Sequence, residues 1–183
     1  MVGGLVGGYY VTITDCSVIG NDGSSVTATF SKADVEGDSV GGLVGMTGEY
    51  STTQTSITRV KDVTVENLDV SGTRKVGGII GYMNYGVAAE DITASELTVS
   101  TNADSDYISA NEDKISVGGI VGECSGSGNY PNNPSVLKDA TISNSKVTGI
   151  ASATTGDVLG KLRGTVSMVS ENIQVNNVVV SVQ

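Results

Sequence analysis

The chain has 183 residues, with 10 Lys and Arg against 20 Asp and Glu, and therefore a formal net charge of −10. Such a charge repels phosphate backbones and anionic lipid surfaces, so binding to nucleic acid or to a membrane surface is not expected. Histidine is absent, only two cysteines are present, and no apolar run reaches the ~20 residues of a transmembrane helix. We therefore predict no zinc site, no cofactor and no membrane insertion.

A six-residue glycine motif opens the chain and then recurs. Its copies are Val2–Gly7, Val40–Gly45, Val76–Gly81 and Val117–Gly122, with a degenerate fifth copy predicted at Leu159–Gly164. The glycine pairs of the first four copies begin at residues 3, 41, 77 and 118, which are 38, 36 and 41 residues apart. Self-similarity at this period is typical of stacked repeats. We predict a single domain, a fragment of a longer protein, with repeats at 2–39, 40–75, 76–116, 117–158 and 159–183.

An alternating segment follows each glycine motif. In the second repeat, Thr64 lies between the apolar residues Val63 and Val65, and the turn-favouring residue Asn67 follows them. Because the period is two and the apolar residues are β-branched, this segment predicts a strand with one buried face. A short strand centred on Val70 comes next. In the first repeat, the equivalent columns are predicted at Val11, Ile13, Asp15 and Val18.

Each repeat therefore supplies about three short strands: the glycine motif, the Thr-containing strand and the valine strand. A repeat that cannot bury its apolar side chains alone stacks on its neighbours, and like strands then pair at ~4.8 Å spacing. The predicted fold is all-β, a parallel β-helix or β-solenoid of about five coils with loop insertions. It is expected to be right-handed, because parallel crossovers nearly always are.

The motif also predicts which side chains fill the core. In the fifth copy, Lys161 and Arg163 stand on either side of an apolar residue, and charged side chains point outward. The inward residues are then Leu5, Leu43, Ile79, Ile120 and Leu162. The next motif residues are expected to form an outward apolar stripe that needs a cover or a partner: Val6, Val44, Ile80 and Val121. Polar insertions at 21–39, 46–58, 101–116 and 123–136 are predicted to be rim loops, with an extra strand at Val26–Phe30.

The repeated motif resembles the GLUG repeats of bacterial surface proteins. The likeness rests on Gly41-Gly42-Leu43-Val44-Gly45 and Gly118-Gly119-Ile120-Val121-Gly122, each followed by a Thr and Val strand and an Asn-type turn. Such repeats occur in adhesin-like proteins of gut bacteria and in the non-catalytic part of some streptococcal immunoglobulin A proteases. The resemblance implies an extracellular or cell-wall-attached repeat region. It implies no catalysis, since the peptidase part of those proteases uses a His-Glu-x-x-His zinc motif and this chain has no histidine.

Most of the tyrosines lie close behind a glycine motif. Stacked repeats would gather them along one edge, where a tyrosine offers flat apolar area and a hydrogen-bonding tip to a glycan or a protein. The alternative is that these rings pack over a corner and shield the end of the core. The candidate ligand-binding residues are Tyr9, Tyr10, Tyr50, Tyr82, Tyr85 and Tyr130.

Three aspartates fall at the same repeat position: Asp62, Asp91 and Asp139. Carboxylates on successive rungs repel one another, and a Ca²⁺ ion could bridge them. The favoured interpretation is that each aspartate caps backbone N–H groups at the corner before its strand, so no metal site is assigned.

These features predict a non-enzymatic module of a bacterial cell-surface protein. It would act as an adhesive or structural stalk domain that binds host protein or glycan through loops along one edge, next to flanking domains of the same polypeptide. One alternative is a β-helix carbohydrate-active enzyme, which a groove lined by clustered carboxylates and a basic residue would favour. The other is a purely structural spacer.

Overall fold

The computed structural model describes residues 1–8, 12–29, 38–48, 58–84, 86–125, 134–163 and 168–183. The strands of this part are β1 (Val2–Gly3), β2 (Ile13–Ile19), β3 (Ser25–Ala28), β4 (Ser39–Gly41), β5 (Val44–Thr47), β6 (Thr58–Gly72), β7 (Lys75–Gly77), β8 (Ile80–Met83), β9 (Val87–Thr101), β10 (Ser116–Gly118), β11 (Val121–Ser125), β12 (Val136–Gly149), β13 (Thr155–Gly156), β14 (Leu159–Arg163) and β15 (Val169–Val182). Helix α1 (Ser105–Asn111) and short 3-10 helices at Glu112–Lys114 and Ser152–Thr154 complete it. The prediction of an all-β chain is confirmed.

The strands form three sheets, and every strand pairing within these sheets is parallel. Sheet A has the order β1-β4-β7-β10-β13, and sheet B has the order β5-β8-β11-β14. Sheet C has the order β2-β6-β9-β12-β15, with β3 also paired to β6. Neighbours in each sheet come from consecutive repeats. The predicted stacking of like strands in parallel sheets is therefore confirmed.

The glycine motif is not one strand, as predicted, but two strands and a corner. In the second repeat, β4 ends at Gly41, the bend holds Gly42 and Leu43, and β5 begins at Val44. Motif positions 1 and 2 therefore belong to sheet A, and positions 5 and 6 belong to sheet B. Because the chain turns between them, positions 4 and 5 can both face the interior.

The segments that were predicted as a Thr-containing strand and a separate valine strand form one continuous strand of sheet C. Strand β6 bends at Asp62 and Asn67, which have φ angles of 54° and 51° in the left-handed region. Asp and Asn tolerate this conformation better than most residues. Each bend adds one residue between inward side chains, so Val60 and Val63 face the core on the two sides of the first bend. Equivalent bends recur at Asp91, Glu96, Asp139, Asn144, Asn172 and Asn177.

The core prediction is correct for the internal repeats and wrong for the apolar stripe. Leu43, Ile79 and Ile120 are fully buried, as predicted, whereas Leu5 and Leu162 are exposed. The predicted outward residues Val44, Ile80 and Val121 are also fully buried, and Val6 packs against the core. The reason is the corner within the motif, which turns positions 4 and 5 toward the same interior. The stripe that needed a cover does not exist in the described residues.

The first repeat lies in a different register from the one predicted. Cys16 pairs with Val63 and Val18 pairs with Val65, so Asp15 stands at the Asp62 bend rather than the Asn67 bend. Val26 of the predicted extra strand, now β3, pairs with Val70 in place of Val18. Val11 lies outside the described residues. The error arises because both bends of a sheet C strand hold Asp, Asn or Glu residues, and they are only five residues apart.

The fifth copy of the motif also begins earlier than predicted. Thr155 pairs with Val117 and Gly156 with Gly118, while Leu159 pairs with Val121. The copy is therefore Thr155–Gly160, with Asp157 at position 3 and Val158 at position 4. Lys161 and Leu162 follow the motif and pair with Glu123 and Cys124. Leu162 thus stands in the same inward column as the buried Met83 and Cys124, and it is exposed because β14 is the outermost described strand of sheet B.

The three glycine columns of the motif are required for three different close approaches. A Cβ atom at position 2 would overlap the carbonyl oxygen of position 5 in the same repeat, as at Gly41 with Val44. At position 3 it would overlap the position 3 carbonyl oxygen of the following repeat, as at Gly42 with Gly78. At position 6 it would meet the preceding repeat, as at Gly81, 2.6 Å from the Gly45 carbonyl oxygen. The glycines of the motif thus allow the backbone to pack closely within a repeat and between adjacent repeats.

The insertion predicted as a loop at 101–116 contains helix α1. Asp104 caps it, because its Oδ1 accepts a hydrogen bond of 2.7 Å from the Tyr107 backbone N–H. The helix has seven residues, and it is continued by the 3-10 turn that leads into β10. Within the described ranges, no helix is long and apolar enough to span a bilayer.

Candidate functional site

The predicted tyrosine edge can be placed only at Tyr82. Tyr9, Tyr10, Tyr50, Tyr85 and Tyr130 lie outside the described residues, so their gathering along one edge stays a prediction. Tyr82 lies in β8 of sheet B, directly after the motif, and its side chain is half-buried. Its stacked neighbours in the adjacent repeats are Met46 and Glu123.

Tyr82 borders a buried ion pair that the spacing of residues in the sequence does not predict. The Lys75 ammonium lies 4.0 Å from the centre of the Tyr82 ring, a favourable cation–π geometry. Lys75 Nζ also lies 3.9 Å from Glu123 Oε1, and the two side chains are only 3% and 2% exposed. Arg163, which is largely exposed, places its Nη1 3.9 Å from the same Glu123 oxygen. Ser116 Oγ donates to Glu123 Oε2 at 3.5 Å.

Asp38 and Arg74 extend this group, and we call Asp38, Arg74, Lys75 and Glu123 the buried charge cluster. Asp38 is 1% exposed, and among the described residues neither of its carboxylate oxygens has a hydrogen-bond partner. Burial raises the pKa of Asp38, against the opposing effects of the nearby Arg74 and Lys75 cations. The two cations and the two carboxylates of the buried charge cluster thus have opposite formal charges of equal size, in a site that is shielded from water.

The raised pKa of Asp38 gives a pH-dependent contribution to stability. Below its ordinary pKa of about 4, Asp38 is protonated in both states, and its contribution is fully present. As the pH rises through the folded-state pKa, the unfolded chain ionises first and that contribution is lost. Asp38→Asn cannot ionise, so we expect its free energy of unfolding to improve relative to wild type between about pH 4 and pH 7. Urea unfolding at both pH values measures this, and a constant difference would contradict it.

The two cysteines are free, and they differ in accessibility. Cys124 is buried in β11, and burial raises the pKa of its thiol to about 11. At pH 8 only about one thiol in a thousand would then be the reactive thiolate. Cys16 is partly exposed, and its Sγ donates to the Thr14 carbonyl at 3.1 Å.

We therefore expect maleimide at pH 8 to label one cysteine in the folded protein and both in denaturant. Mass spectrometry should assign the rapid label to Cys16. A Cys16→Ser variant is the matched control, because it should show almost no rapid labelling. Equal rates at both thiols in the folded chain would contradict this placement of Cys124.

A depression of about 490 Å³ lies between the α1 insertion and the 3-10 turn before β13. Glu112, Asp113 and Lys161 contribute its charged groups. Lys161 Nζ donates to the Asp113 backbone carbonyl, which ties the insertion to β14. The remaining lining residues are Ser109, Ala110, Ala151 and Thr154. This place combines two carboxylates with one amine, a combination that sequence spacing alone did not bring together.

The predicted aspartate column exists, although its residues bend strands rather than precede them. Asp62, Asp91 and Asp139 all have φ angles between 51° and 54° within sheet C strands. Lys61 Nζ lies 3.8 Å from Asp62 and 3.6 Å from Asp91, and Asn172 Nδ2 donates to Asp139 at 2.8 Å. In the described ranges, no group of three or more His, Cys, Asp or Glu side chains could hold a metal ion. Lysine and asparagine partners take the place of the cation considered from the sequence.

Comparisons of the chain with protein-family models, with curated proteins and with solved structures find no match.

Proposed function

We propose that this chain is a non-enzymatic repeat module of the GLUG type from a bacterial cell-surface protein, acting as a stalk or adhesive domain. In this proposal the three sheets close into a right-handed β-solenoid of five coils, the hand that parallel crossovers favour. The module would lie outside the cell, between flanking domains of the same polypeptide. Its ligand would be a host protein or a glycan.

One observation carries the stalk role. In all three sheets each internal strand pairs with strands of the repeats before and after it, so every added repeat lengthens the stack by one strand spacing. The core is continuous along this direction, from Ile13 to Val147. A rigid rod with polar insertions between its sheets is suited to holding a binding surface away from its anchor.

The adhesive role is tested on the tyrosines. A glycan array and a panel of extracellular-matrix proteins would be screened with wild type and with the Tyr9/Tyr82/Tyr85 triple alanine variant. We expect wild type to bind one ligand class and the triple variant to lose at least tenfold in affinity. Tyr107→Ala is the matched control, because Tyr107 is on α1 and does not follow a motif. Binding by neither protein would favour the structural spacer.

A second candidate function is favoured by the depression beside α1. Glu112, Asp113 and Lys161 form the clustered carboxylates and basic residue that a β-helix carbohydrate-active enzyme would use. Polysaccharide cleavage would be assayed by the release of reducing ends from acidic and neutral glycans. Activity that is lost in both Glu112→Gln and Lys161→Met would replace the stalk proposal with this one. Absence of cleavage by wild type would dismiss it.

A further inference from the structure

The position 3 glycines define a direction along the repeat stack. A Cβ atom at Gly4, Gly42 or Gly78 would overlap the carbonyl oxygen at position 3 of the following repeat. The same holds for Gly119, whose Cβ would overlap the Asp157 carbonyl oxygen. Because the obstacle is backbone, no side-chain movement relieves it. Any repeat that is followed by another repeat of this type therefore needs glycine at position 3.

The fifth repeat is the exception, because its position 3 is Asp157. This residue is exposed, and its Oδ1 accepts a hydrogen bond of 2.9 Å from the Val158 backbone N–H. Position 2 of the same copy is still glycine, since the close approach of Gly156 to the Leu159 carbonyl is internal to the repeat. Glycine is thus lost at position 3, where the closest approach is to the following repeat, and kept at position 2, where the closest approach lies within the repeat itself.

The opposite end of the stack has no such obstacle. At position 6, a Cβ atom at Gly45, Gly81, Gly122 or Gly160 would crowd the backbone of the preceding repeat. Gly7 occupies this column in the first repeat, and among the described residues a Cβ there would approach only the Met1 carbonyl group, with its oxygen at 3.3 Å. Gly4 and Leu5 are exposed at this end. Position 6 of the first motif thus leaves room for a repeat packed beneath it.

We infer that the two ends of the stack differ in what they accept. Asp157 closes the end at repeat 5 against any further repeat of this type, including the first repeat of a second copy. The end at repeat 1 accepts a repeat whose motif has glycine at position 3. Wild-type copies consequently cannot polymerise head to tail, and the face at repeat 1 fits the repeat 5 face of a second copy only when that copy has glycine at position 157.

The test uses Asp157→Gly to open the closed end and Gly7→Ala to close the open one. The double variant Asp157→Gly/Gly7→Ala has one open end, at repeat 5, and wild type has one open end, at repeat 1. We expect each protein alone to sediment as a monomer and their mixture to form a 1:1 complex of twice the mass. Asp157→Gly alone should form longer chains as its concentration rises. Salt of about 0.15 M limits charge repulsion to ~8 Å.

Three controls decide the cause. Asp157→Ala removes the carboxylate and keeps the Cβ atom, so it should remain monomeric, and association by this variant would assign the block to charge and overturn the steric inference. Gly8→Ala adds a methyl group that has no atom of the described residues within 4 Å, so Asp157→Gly/Gly8→Ala should associate like Asp157→Gly. Circular dichroism and thermal melting confirm that each variant is folded. Wild type that associates as strongly as Asp157→Gly, or a folded Asp157→Gly that stays monomeric, would also overturn the inference.

Discussion

Gly78→Ala is expected to destabilise the fold by more than about 3 kcal/mol, enough to remove a large part of the stability of an ordinary domain. The new Cβ atom would overlap the Gly119 carbonyl oxygen and would lie 2.7 Å from Leu97 Cδ1. Relief requires the third and fourth repeats to separate, which breaks pairing in sheets A and B at once. Urea unfolding followed by circular dichroism measures the loss, provided that the variant folds at all.

Gly8→Ala is the matched control for this prediction. Both changes add one methyl group in or beside a glycine motif, but at Gly8 no atom of the part of the chain that the structure describes lies within 4 Å of the new Cβ. We expect its free energy of unfolding to lie within about 0.5 kcal/mol of wild type. Similar losses in the two variants would show that helix and strand propensity, rather than the approach of adjacent repeats, sets the cost.

Lys75→Met is expected to cost about 3–5 kcal/mol, because it leaves the buried Glu123 carboxylate without its buried cation. Arg163 remains beside Glu123, but its side chain is 60% exposed and so is well screened by water. The Tyr82 ring also loses the ammonium that lies over it. Chemical denaturation at pH 7 measures the change.

Lys75→Met/Glu123→Gln separates the ion pair from simple packing. Removing both charges leaves no uncompensated buried charge, so we expect the double variant to recover most of the stability lost in Lys75→Met. The thermodynamic cycle with Glu123→Gln gives the coupling energy directly. Additive losses would contradict the prediction, since they would mean that Lys75 and Glu123 do not interact across the two repeats.

Much of the fold could be predicted from the sequence because the repeat imposes the same pattern several times. The glycine motif and the alternating segment each recur, and their columns identified parallel stacking and the buried Leu43, Ile79 and Ile120 correctly. The closed solenoid and its handedness stay predictions. Two consecutive apolar residues in the motif, such as Leu43 and Val44, signalled a corner, because a straight strand sends neighbours to opposite faces.

Register was harder to predict than stacking. Asp15 fits either bend of a sheet C strand, and the surrounding residues alternate equally well in both alignments, so only the position of β3 decides between them. The degenerate fifth motif failed for a related reason. The alignment to Leu159–Gly164 was based on Gly160, Leu162 and Gly164, which match the residue types of the motif. The strand pairing instead places Gly156 and Gly160 at motif positions 2 and 6.

The buried charge cluster could not be predicted from spacing. Lys75 directly precedes one motif and Glu123 directly follows the next, and they meet only because the motif folds back on itself between sheets A and B. If the corner within the motif had been predicted, the proximity of Lys75 and Glu123 could have been predicted too, since residues that flank the motif must then face each other. The composition did not predict a buried charge cluster either, because a chain with 16% charged residues can keep all of those side chains in contact with solvent.

The connection between sheets A and B has a constant length, so the number of residues in a repeat does not set the rise from one repeat to the next. It holds two residues in every repeat, as with Gly78 and Ile79 or Asp157 and Val158, whereas the other connections vary from Thr73 and Arg74 to the whole α1 insertion. Successive repeats of unequal length are therefore separated by the same distance along the stack. A foreign peptide could be displayed within the α1 insertion, whose residues Glu112 and Asp113 are exposed, without altering the spacing of the rungs. The same peptide inserted between Gly78 and Ile79 would break the ladder.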